Sequence, residues 1–226
     1  MAWLLLFALV NTALHYLFSY VGLGYLPSSR STILDSMNGF FAIILSCIIF
    51  EDDKFSKTKA LGCILGFSGI LLINIQPGQN FFQGISFRGD GMILLNALCG
   101  AFGGIITRII SKKMDMTVAT SLSMTIGGAF LCVVSAIIEP AARWTITTES
   151  IIIMIGLILI SAVCFGVYNQ LLAYHPISKI AIFNAFIPIL GVIFSSIILG
   201  EPMKVKYIIA GCMVALGVYV MNHFSK

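Results

Sequence analysis

Apolar runs as long as a bilayer is thick leave this chain few ways to fold. At ~1.5 Å of rise per residue, a helix of about 20 residues spans the ~30 Å hydrocarbon core. Lipid offers the backbone no hydrogen-bond partner, and the period-two alternation of a membrane barrel is absent, so each run is predicted to be a transmembrane helix. The runs occupy 2–25, 29–50, 57–75, 90–110, 117–138, 150–173, 177–199 and 204–222. We therefore expect an all-α, polytopic membrane helix bundle of eight spans.

The composition agrees with lipid as the main solvent. Of the 226 residues, 59% are hydrophobic and 10% are charged, whereas a soluble domain carries roughly 25% charged residues. The longest polar connection, 76–89, is too short for a soluble domain. The net charge of +4 comes from basic residues in the short joints, which indicates topology rather than a nucleic-acid partner. We expect the function to lie inside the lipid bilayer.

The sequence indicates no metal, no cofactor and no enzyme chemistry. The six cysteines fall in different apolar runs and form no Cys-x-x-Cys pair, so neither a zinc site nor a disulfide framework is expected. His-x-x-x-His, paired catalytic carboxylates and an activated serine or cysteine are all absent at helical spacing, which argues against an intramembrane enzyme. The cysteines are Cys47, Cys63, Cys99, Cys132, Cys164 and Cys212.

A stretch near the C-terminus, 174–222, occurs a second time as 25–74. Each copy is an apolar hairpin, two runs joined by a polar turn that carries a carboxylate. Such an internal repeat decides the architecture. The pattern Tyr-x-Pro-x-Ser-basic opens both copies. Matched pairs are Pro27 with Pro176, Ser29 with Ser178, Arg30 with Lys179, Glu51 with Glu201, and Gly62 with Gly211.

Basic residues in the joints set the predicted orientation. One side holds Lys54, Lys57, Lys59, Arg108, Lys112, Lys113, Lys179 and Lys226, and the other Arg30, Arg88, Arg143, Lys204 and Lys206. The positive-inside rule places the first side, with both termini, in the cytoplasm. The two copies are an odd number of helices apart, so they are predicted to face opposite ways across the membrane. Glu51 is then cytoplasmic and Glu201 outside, and both are interpreted as structural or topological residues.

Polar side chains cover one half of the first helix. They are Asn11, Thr12, His15, Tyr16, Ser19 and Tyr20. The sixth helix, its repeat partner, carries Ser161, Tyr168 and Asn169 at matching places. The stripe is interpreted either as the lining of a cavity or as ordinary hydrogen bonding between helices. Its width and its recurrence favour the cavity.

The second helix adds an ionisable group at depth. Ser31, Asp35 and Asn38 are spaced i, i+4 and i+7, and Asp35 aligns with Asn184 in the second copy. His15 and Asp35 lie on either side of a tight turn, each ~12–15 Å deep. An Asp at a helix centre costs at least ~2.5 kcal/mol and is normally paired or lining a cavity. His15 and Asp35 are interpreted as a proton-coupling pair or as a satisfied structural pair.

Small residues on three helices predict close packing of helix backbones. They are Gly62, Gly66 and Gly69 on helix three, Gly100 and Gly104 on helix four, and Gly211, Ala215 and Gly217 on helix eight. Their spacing follows the small-xxx-small pattern of membrane helix contacts. Pro188, in the middle of the seventh run, predicts a kink there.

Inverted repeats of this kind resemble the drug/metabolite transporter superfamily, in particular its EamA-like branch. The resemblance is carried by Pro27, Ser29, Glu51, Gly62, Pro176, Ser178, Pro188, Gly200, Glu201 and Gly211. It implies two inverted five-helix repeats, alternating access, and a substrate cavity between the repeats near the bilayer middle. The chain is expected to be a secondary transporter of small organic solutes or metabolites in the cell membrane. The predicted substrate-cavity residues are Asn11, His15, Tyr16, Ser19, Tyr20, Asp35, Asn38, Asn96, Tyr168, Asn169 and Asn184.

The chain departs from the ten-helix pattern in its first repeat. Residues 1–75 hold three helices of the first repeat and residues 90–224 hold five of the second, so two helices of the family fold are expected to be missing. The alternative function is therefore a truncated, non-transporting remnant or subunit that needs a partner, either a second copy in a homodimer or a separate two-helix piece. Asn96, Thr107, Thr120 and Ser123 are expected to face the resulting gap.

Overall fold

The computed structural model of the chain describes residues 2–50, 56–74, 85–138, 146–175, 180 and 186–223. Its elements within these ranges are helices, with no β-strand, so the predicted all-α class is confirmed for them. They are labelled α1 (Ala2–Leu23), α2 (Ser28–Ile49), α3 (Lys57–Asn74), α4 (Phe87–Ile110), α5 (Met116–Ile138), α6 (Thr148–Tyr174), α7 (Ile187–Leu199) and α8 (Val205–His223).

Five of the described helices, α1, α2, α4, α5 and α6, are long and apolar enough to cross a membrane. The described parts of α7 and α8 form shorter apolar helices. The protein is therefore a membrane helix bundle, while the count of eight spans stays a prediction.

Two of the spans are irregular at mid-length. In α1, residues Ala8–Leu14 form a π-helix between two α-helical segments. In α2, the helix Ser28–Asp35 ends at Ser36, and a second helix, Met37–Ile49, follows at once. Backbone irregularity at membrane depth is tolerated where it lines a cavity or is buried in protein, and π-segments are frequent at functional sites.

Pro188 lies in the first turn of the described helix α7. The predicted kink concerns the residues just before this helix, so it stays a prediction. Proline is favoured in a first turn because the N–H that it lacks would have no partner inside the helix. Residues 177–179 and 181–185 of the predicted span lie outside the described residues.

Helices that are distant along the chain pack together. Helix α1 packs on α4 and α5, α2 packs on α4 and α7, and α3 packs on α8. A core of buried apolar side chains, including Leu34, Phe40 and Val214, lies between α2, α3, α4, α7 and α8. Helix α6 contacts α5 and α4 and leaves most of its apolar side chains exposed, as expected for a lipid-facing helix.

Glycines bring α3 and α8 into backbone contact. A Cβ atom added at Gly217 would lie 2.6 Å from the carbonyl oxygen of Gly62 and 2.9 Å from the amide nitrogen of Gly66. A Cβ atom at Gly69 would lie 2.9 Å from the carbonyl oxygen of Ala210. The predicted close packing of these two helices is therefore confirmed at these positions. Backbone atoms cannot move aside as the end of a side chain can, so a methyl group at Gly217 would push the helices apart.

We expect Gly217→Ala to destabilise the bundle by about 1–3 kcal/mol, the usual cost of overpacking. The matched control is Gly156→Ala in α6, where an added Cβ meets nothing within 4 Å. Thermal unfolding in mild detergent, followed by the helical circular dichroism signal, measures both variants. Equal unfolding temperatures for the two would contradict the close contact of α3 with α8.

Candidate functional site

A cavity of about 320 Å³ lies where α1, α2, α4, α6 and α7 meet. Its lining residues are Asn11, His15, Asp35, Ser36, Asn38, Gly39, Gly100, Cys164, Phe165, Tyr168 and Ile187. The π-segment of α1 and the break in α2 both border it. The cavity thus coincides with the irregular parts of the two spans.

Five of the residues predicted for a substrate cavity line this one: Asn11, His15, Asp35, Asn38 and Tyr168. They come from three helices, α1, α2 and α6. Two further predicted residues lie directly behind the lining: Asn96 contacts Asp35, and Tyr16 contacts Phe165. Asn184 lies outside the described residues.

Asp35 is held by a side chain of the neighbouring helix. The Nδ2 atom of Asn96 donates a hydrogen bond to Oδ1 of Asp35 over 2.7 Å. Asn96 is itself buried, at 3% exposure. A buried donor of this kind fixes the orientation of a carboxylate without neutralising its charge. Asp35 is thus oriented at the cavity by α4.

Two buried nitrogen atoms at the cavity have no hydrogen-bond partner among the described residues. They are Nδ2 of Asn11 and Nδ1 of His15. A buried polar atom without a partner costs about 1–3 kcal/mol, and in native proteins such atoms are few. Both atoms belong to residues that line the cavity. A ligand or water in the cavity would supply the missing partners.

Glycines of α4 make room for the two asparagines of the site. A Cβ atom at Gly100 would overlap Nδ2 of Asn38, and one at Gly103 would overlap Oδ1 of Asn11. These glycines therefore do more than bring helices together, because they set the width of the space that the polar side chains occupy.

Aromatic rings form one wall of the site. Phe165 lines the cavity, stacks on Tyr16 with ring centroids 5.7 Å apart, and meets the edge of His15 at 5.8 Å. Tyr16 stacks in turn on Tyr20 at 5.9 Å. Phe165 is not among the predicted residues, because polar periodicity assigns a phenylalanine on a membrane helix to the lipid-facing side. Its place four residues after Ser161, on the polar side of α6, was the available signal.

Besides Tyr16 and Asn96, three more predicted residues do not belong to the described lining: Ser19, Tyr20 and Asn169. Tyr20 is 56% exposed. Asn169 is buried in a separate polar cluster, where its Nδ2 donates to Oγ1 of Thr120 over 3.1 Å and its Oδ1 accepts from Oγ1 of Thr107 over 3.4 Å. Asn169 therefore joins α4, α5 and α6.

The polar residues expected to face a gap do not do so. Asn96, Thr107, Thr120 and Ser123 are all buried and hydrogen-bonded, Ser123 to the Thr12 hydroxyl over 2.8 Å. That expectation is wrong because the polar faces of α4 and α5 turn inward, toward α1, α2 and α6. The polar stripe of α1 accordingly combines both interpretations, since Asn11 and His15 line the cavity and Thr12 bonds to a neighbouring helix.

An ion pair that is not predicted from the sequence joins two helices at one end of the bundle. Nη2 of Arg30 lies 2.6 Å and Nε lies 2.8 Å from Oδ1 of Asp90, and both side chains are nearly fully buried. The other carboxylate oxygen, Oδ2, accepts from the amide of Ser86 over 2.8 Å. Removing one partner of a buried pair typically costs about 3–5 kcal/mol. The pair links the first turn of α2 to the start of α4.

Glu201 caps α2 at the same end. Its Oε1 accepts from the amide of Ser28 over 2.7 Å, and its Oε2 accepts from the amide and the hydroxyl of Ser29 over 3.1 and 2.7 Å. Partial burial acts to raise the pKa of Glu201, but the hydroxyls of Ser195 and Ser29 and the two amides outweigh it and lower that pKa to about 2. A negative charge also suits a helix N-terminus. The contacts agree with the structural role predicted for Glu201.

We expect Glu201→Gln to lower the unfolding temperature in detergent at neutral pH. A loss of about 1 kcal/mol, ordinary for one N-terminal cap, corresponds to roughly 2–4 °C in a chain of this size. Because the pKa of Glu201 falls from 4.5 to about 2 on folding, its contribution is present above pH 4.5 and is lost as the pH falls toward 2. The difference in unfolding temperature between Glu201→Gln and the unaltered protein should therefore become smaller at acidic pH.

The matched control is Glu149→Gln, at an exposed residue in the first turn of α6. It should leave the unfolding temperature nearly unchanged. The cap would be contradicted if the difference in unfolding temperature between Glu201→Gln and the unaltered protein stayed constant from neutral to acidic pH.

Apolar spans around a polar cavity, with irregular helices beside it, are typical of membrane transporters. The comparison with known families agrees: the chain belongs to the EamA-like transporter family, whose model matches residues 1–75 and 87–223. The protein is thus a multi-pass membrane transporter of the drug/metabolite type and not an enzyme.

Curated relatives have similar descriptions. The uncharacterized transporter YvbV of Bacillus subtilis (strain 168) is 26% identical over 97% of this chain and 71% of its own length. A chloroplastic WAT1-related protein of Arabidopsis thaliana is 25% identical over 96% of this chain, which spans about half, 54%, of that protein. One solved protein structure, 12% identical, superposes on 99% of this chain and 77% of its own with a TM-score of 0.67, so the two share a fold.

Proposed function

We propose that the protein is a secondary transporter that moves small organic solutes across the cell membrane by alternating access, with the cavity as its solute site. The observation that carries the proposal is the juxtaposition of Asp35, His15 and Asn11 in one cavity at the irregular parts of α1 and α2. Transporter substrate sites are commonly built from interrupted helices near the bilayer middle.

Proton coupling through Asp35 and His15 is part of the proposal. Both side chains line the cavity, and Asp35 has a single hydrogen-bond donor, Asn96, among the described residues. Charged groups at membrane depth commonly mark proton relays. Histidine changes its charge in the physiological range, and a carboxylate in the same cavity can exchange protons with a bound molecule or water. If the pair is only structural, the titration of these two residues should have no effect on the transport rate.

We expect Asp35→Asn to remove the pH dependence of transport while leaving the protein folded. The assay measures entry of radiolabelled single-ring solutes of positive, neutral and negative charge into reconstituted vesicles, from about pH 5.5 to about pH 8. His15→Ala is measured in parallel, and Asp115→Asn, on the exposed turn before α5, is the control. Normal transport by both cavity variants at every pH would show that the pair is structural.

The inverted repeat of three helices in 1–75 and five in 90–224 completes the proposal. Its support is that equivalent helices of the two copies pack on each other, α2 on α7 and α3 on α8. In addition, the joints that carry Arg30, Asp90 and Glu201 meet at one end of the bundle. The count of basic residues likewise assigns these three joints to the same side of the membrane. The proposed orientation has both termini in the cytoplasm.

Single cysteines at Ser56 and Lys204, in a chain without its six native cysteines, test this topology. An impermeant thiol reagent added to cells should label the residue introduced at Lys204, whereas the one introduced at Ser56 should react only after the membrane is opened. If both positions react from the same side, the repeat is not inverted.

A further inference from the structure

The described lining of the cavity holds one carboxyl group and neither a lysine nor an arginine. The carboxyl group belongs to Asp35. Arg30 of α2 and Arg108 of α4 have partners of their own, Asp90 and the ring of Phe50. A carboxylate away from water must be compensated by a proton or by a cation. His15 is the only basic side chain of that lining.

The carboxylate has room for a second partner. Nδ2 of Asn96 is its only hydrogen-bond donor among the residues that the structure describes, and it uses Oδ1. An ionised carboxylate offers about four lone-pair positions to donors. An ammonium group carries up to three N–H donors and a full positive charge. It can therefore donate a hydrogen bond to the Asp35 carboxylate and also compensate its charge.

The part of the lining that comes from α6 and α7 suits a flat apolar body. Phe165 and Tyr168 line the cavity from α6, and Ile187 lines it from α7. Phe165 is fixed by its ring contacts with Tyr16 and His15. Aromatic rings attract a cation that lies within about 6 Å of the ring centre, and they also stack on other rings.

A third point of recognition is Asn11. It is 6% exposed, it lines the cavity, and its Nδ2 atom has no partner in the described part of the chain. An amide nitrogen can only donate, so its missing partner is an oxygen or another acceptor on the ligand or on a water molecule. The cavity therefore presents an anion, an aromatic wall and a donor.

We infer that the substrate class of the proposed transporter is an organic cation, a protonated amine joined by a short chain to one aromatic ring that bears an oxygen. The amine pairs with Asp35, the ring lies against Phe165 and Tyr168, and the oxygen accepts from Asn11. The volume of about 320 Å³ is near the lower end for small-molecule sites, which suits a single ring. The inference rests on the proposed function in treating the ligand as cargo.

Three probes of the same shape test the charge preference. Tyramine has a terminal ammonium, tyrosol has a neutral hydroxyl in its place, and 4-hydroxyphenylacetate has a carboxylate. Titration calorimetry on the purified protein in detergent at neutral pH should show tyramine binding roughly tenfold more tightly than tyrosol. The carboxylate should bind most weakly. Equal affinities for tyramine and tyrosol, tighter binding of the carboxylate, or no binding of tyramine would overturn the inference.

Two variants assign the preference to this cavity. Asp35→Asn should bring the affinities for tyramine and tyrosol together, while Asp115→Asn, on an exposed turn, should leave their ratio unchanged. Phe165→Leu keeps an apolar side chain in the wall but removes the ring. It should weaken the binding of tyramine more than the binding of tyrosol. It serves as an independent test if Asp35→Asn does not fold. An unchanged ratio in either folded cavity variant would show that the cation binds elsewhere.

Vesicle uptake of the same probes separates this inference from the proposed function. Transport of tyrosol or of the carboxylate without transport of tyramine would support a carrier and overturn the cation preference. Tight binding of tyramine by the folded protein, with no movement of any probe into vesicles, would support the cation site and contradict transport by this chain.

Discussion

Hydrocarbon offers no hydrogen bonds, and the arrangement of polar side chains in this protein follows from that constraint. Thr12 pairs with Ser123, and Asn169 binds threonines on two neighbouring helices, so these polar groups hold helices together. The unpaired side-chain atoms Asn11 Nδ2 and His15 Nδ1 lie at the cavity instead. The cost of these two unmet bonds thus falls where a bound molecule could remove it.

Two polar links join α2 to α4, although the helices are distant along the chain. Arg30 pairs with Asp90 near the end of the bundle, and Asp35 accepts from Asn96 one to two turns further in. Their spacing along the helices corresponds to roughly 8–9 Å. Any rearrangement that separates α2 from α4 must therefore break both links. The contact of α3 with α8 is of another kind, because glycine backbones meet there.

The helices could be predicted from the sequence because apolar runs of bilayer length permit few other structures. Several cavity residues could be predicted as well, since the spacing of Asn11, His15 and Asp35 places them on polar faces. Periodicity reports which side of a helix is polar, but it does not report what that side meets. Asn169 for this reason was grouped with the cavity, although it fastens three helices together.

Contacts between distant segments could not be predicted from periodicity, for a different reason. Arg30 was counted as a charge in a joint, yet it lies buried against Asp90, 60 positions along the chain. Nothing in the local pattern of either residue specifies the other. The π-segment of α1 and the break at Ser36 also depend on neighbouring helices. Irregular backbone at membrane depth is tolerated only where protein covers it or a cavity adjoins it, and the local sequence does not report this.

The cap on α2 has a consequence for biosynthesis. Ser28 is made early, but the carboxylate that accepts from its amide belongs to a residue 173 positions later. While the chain emerges from the ribosome, the first turn of α2 has to rely on water or lipid head groups for its exposed amides. Only when the turn between α7 and α8 arrives does Glu201 take their place. The last hairpin thus completes the second span, and a nascent chain that stalls before it leaves that span unfinished.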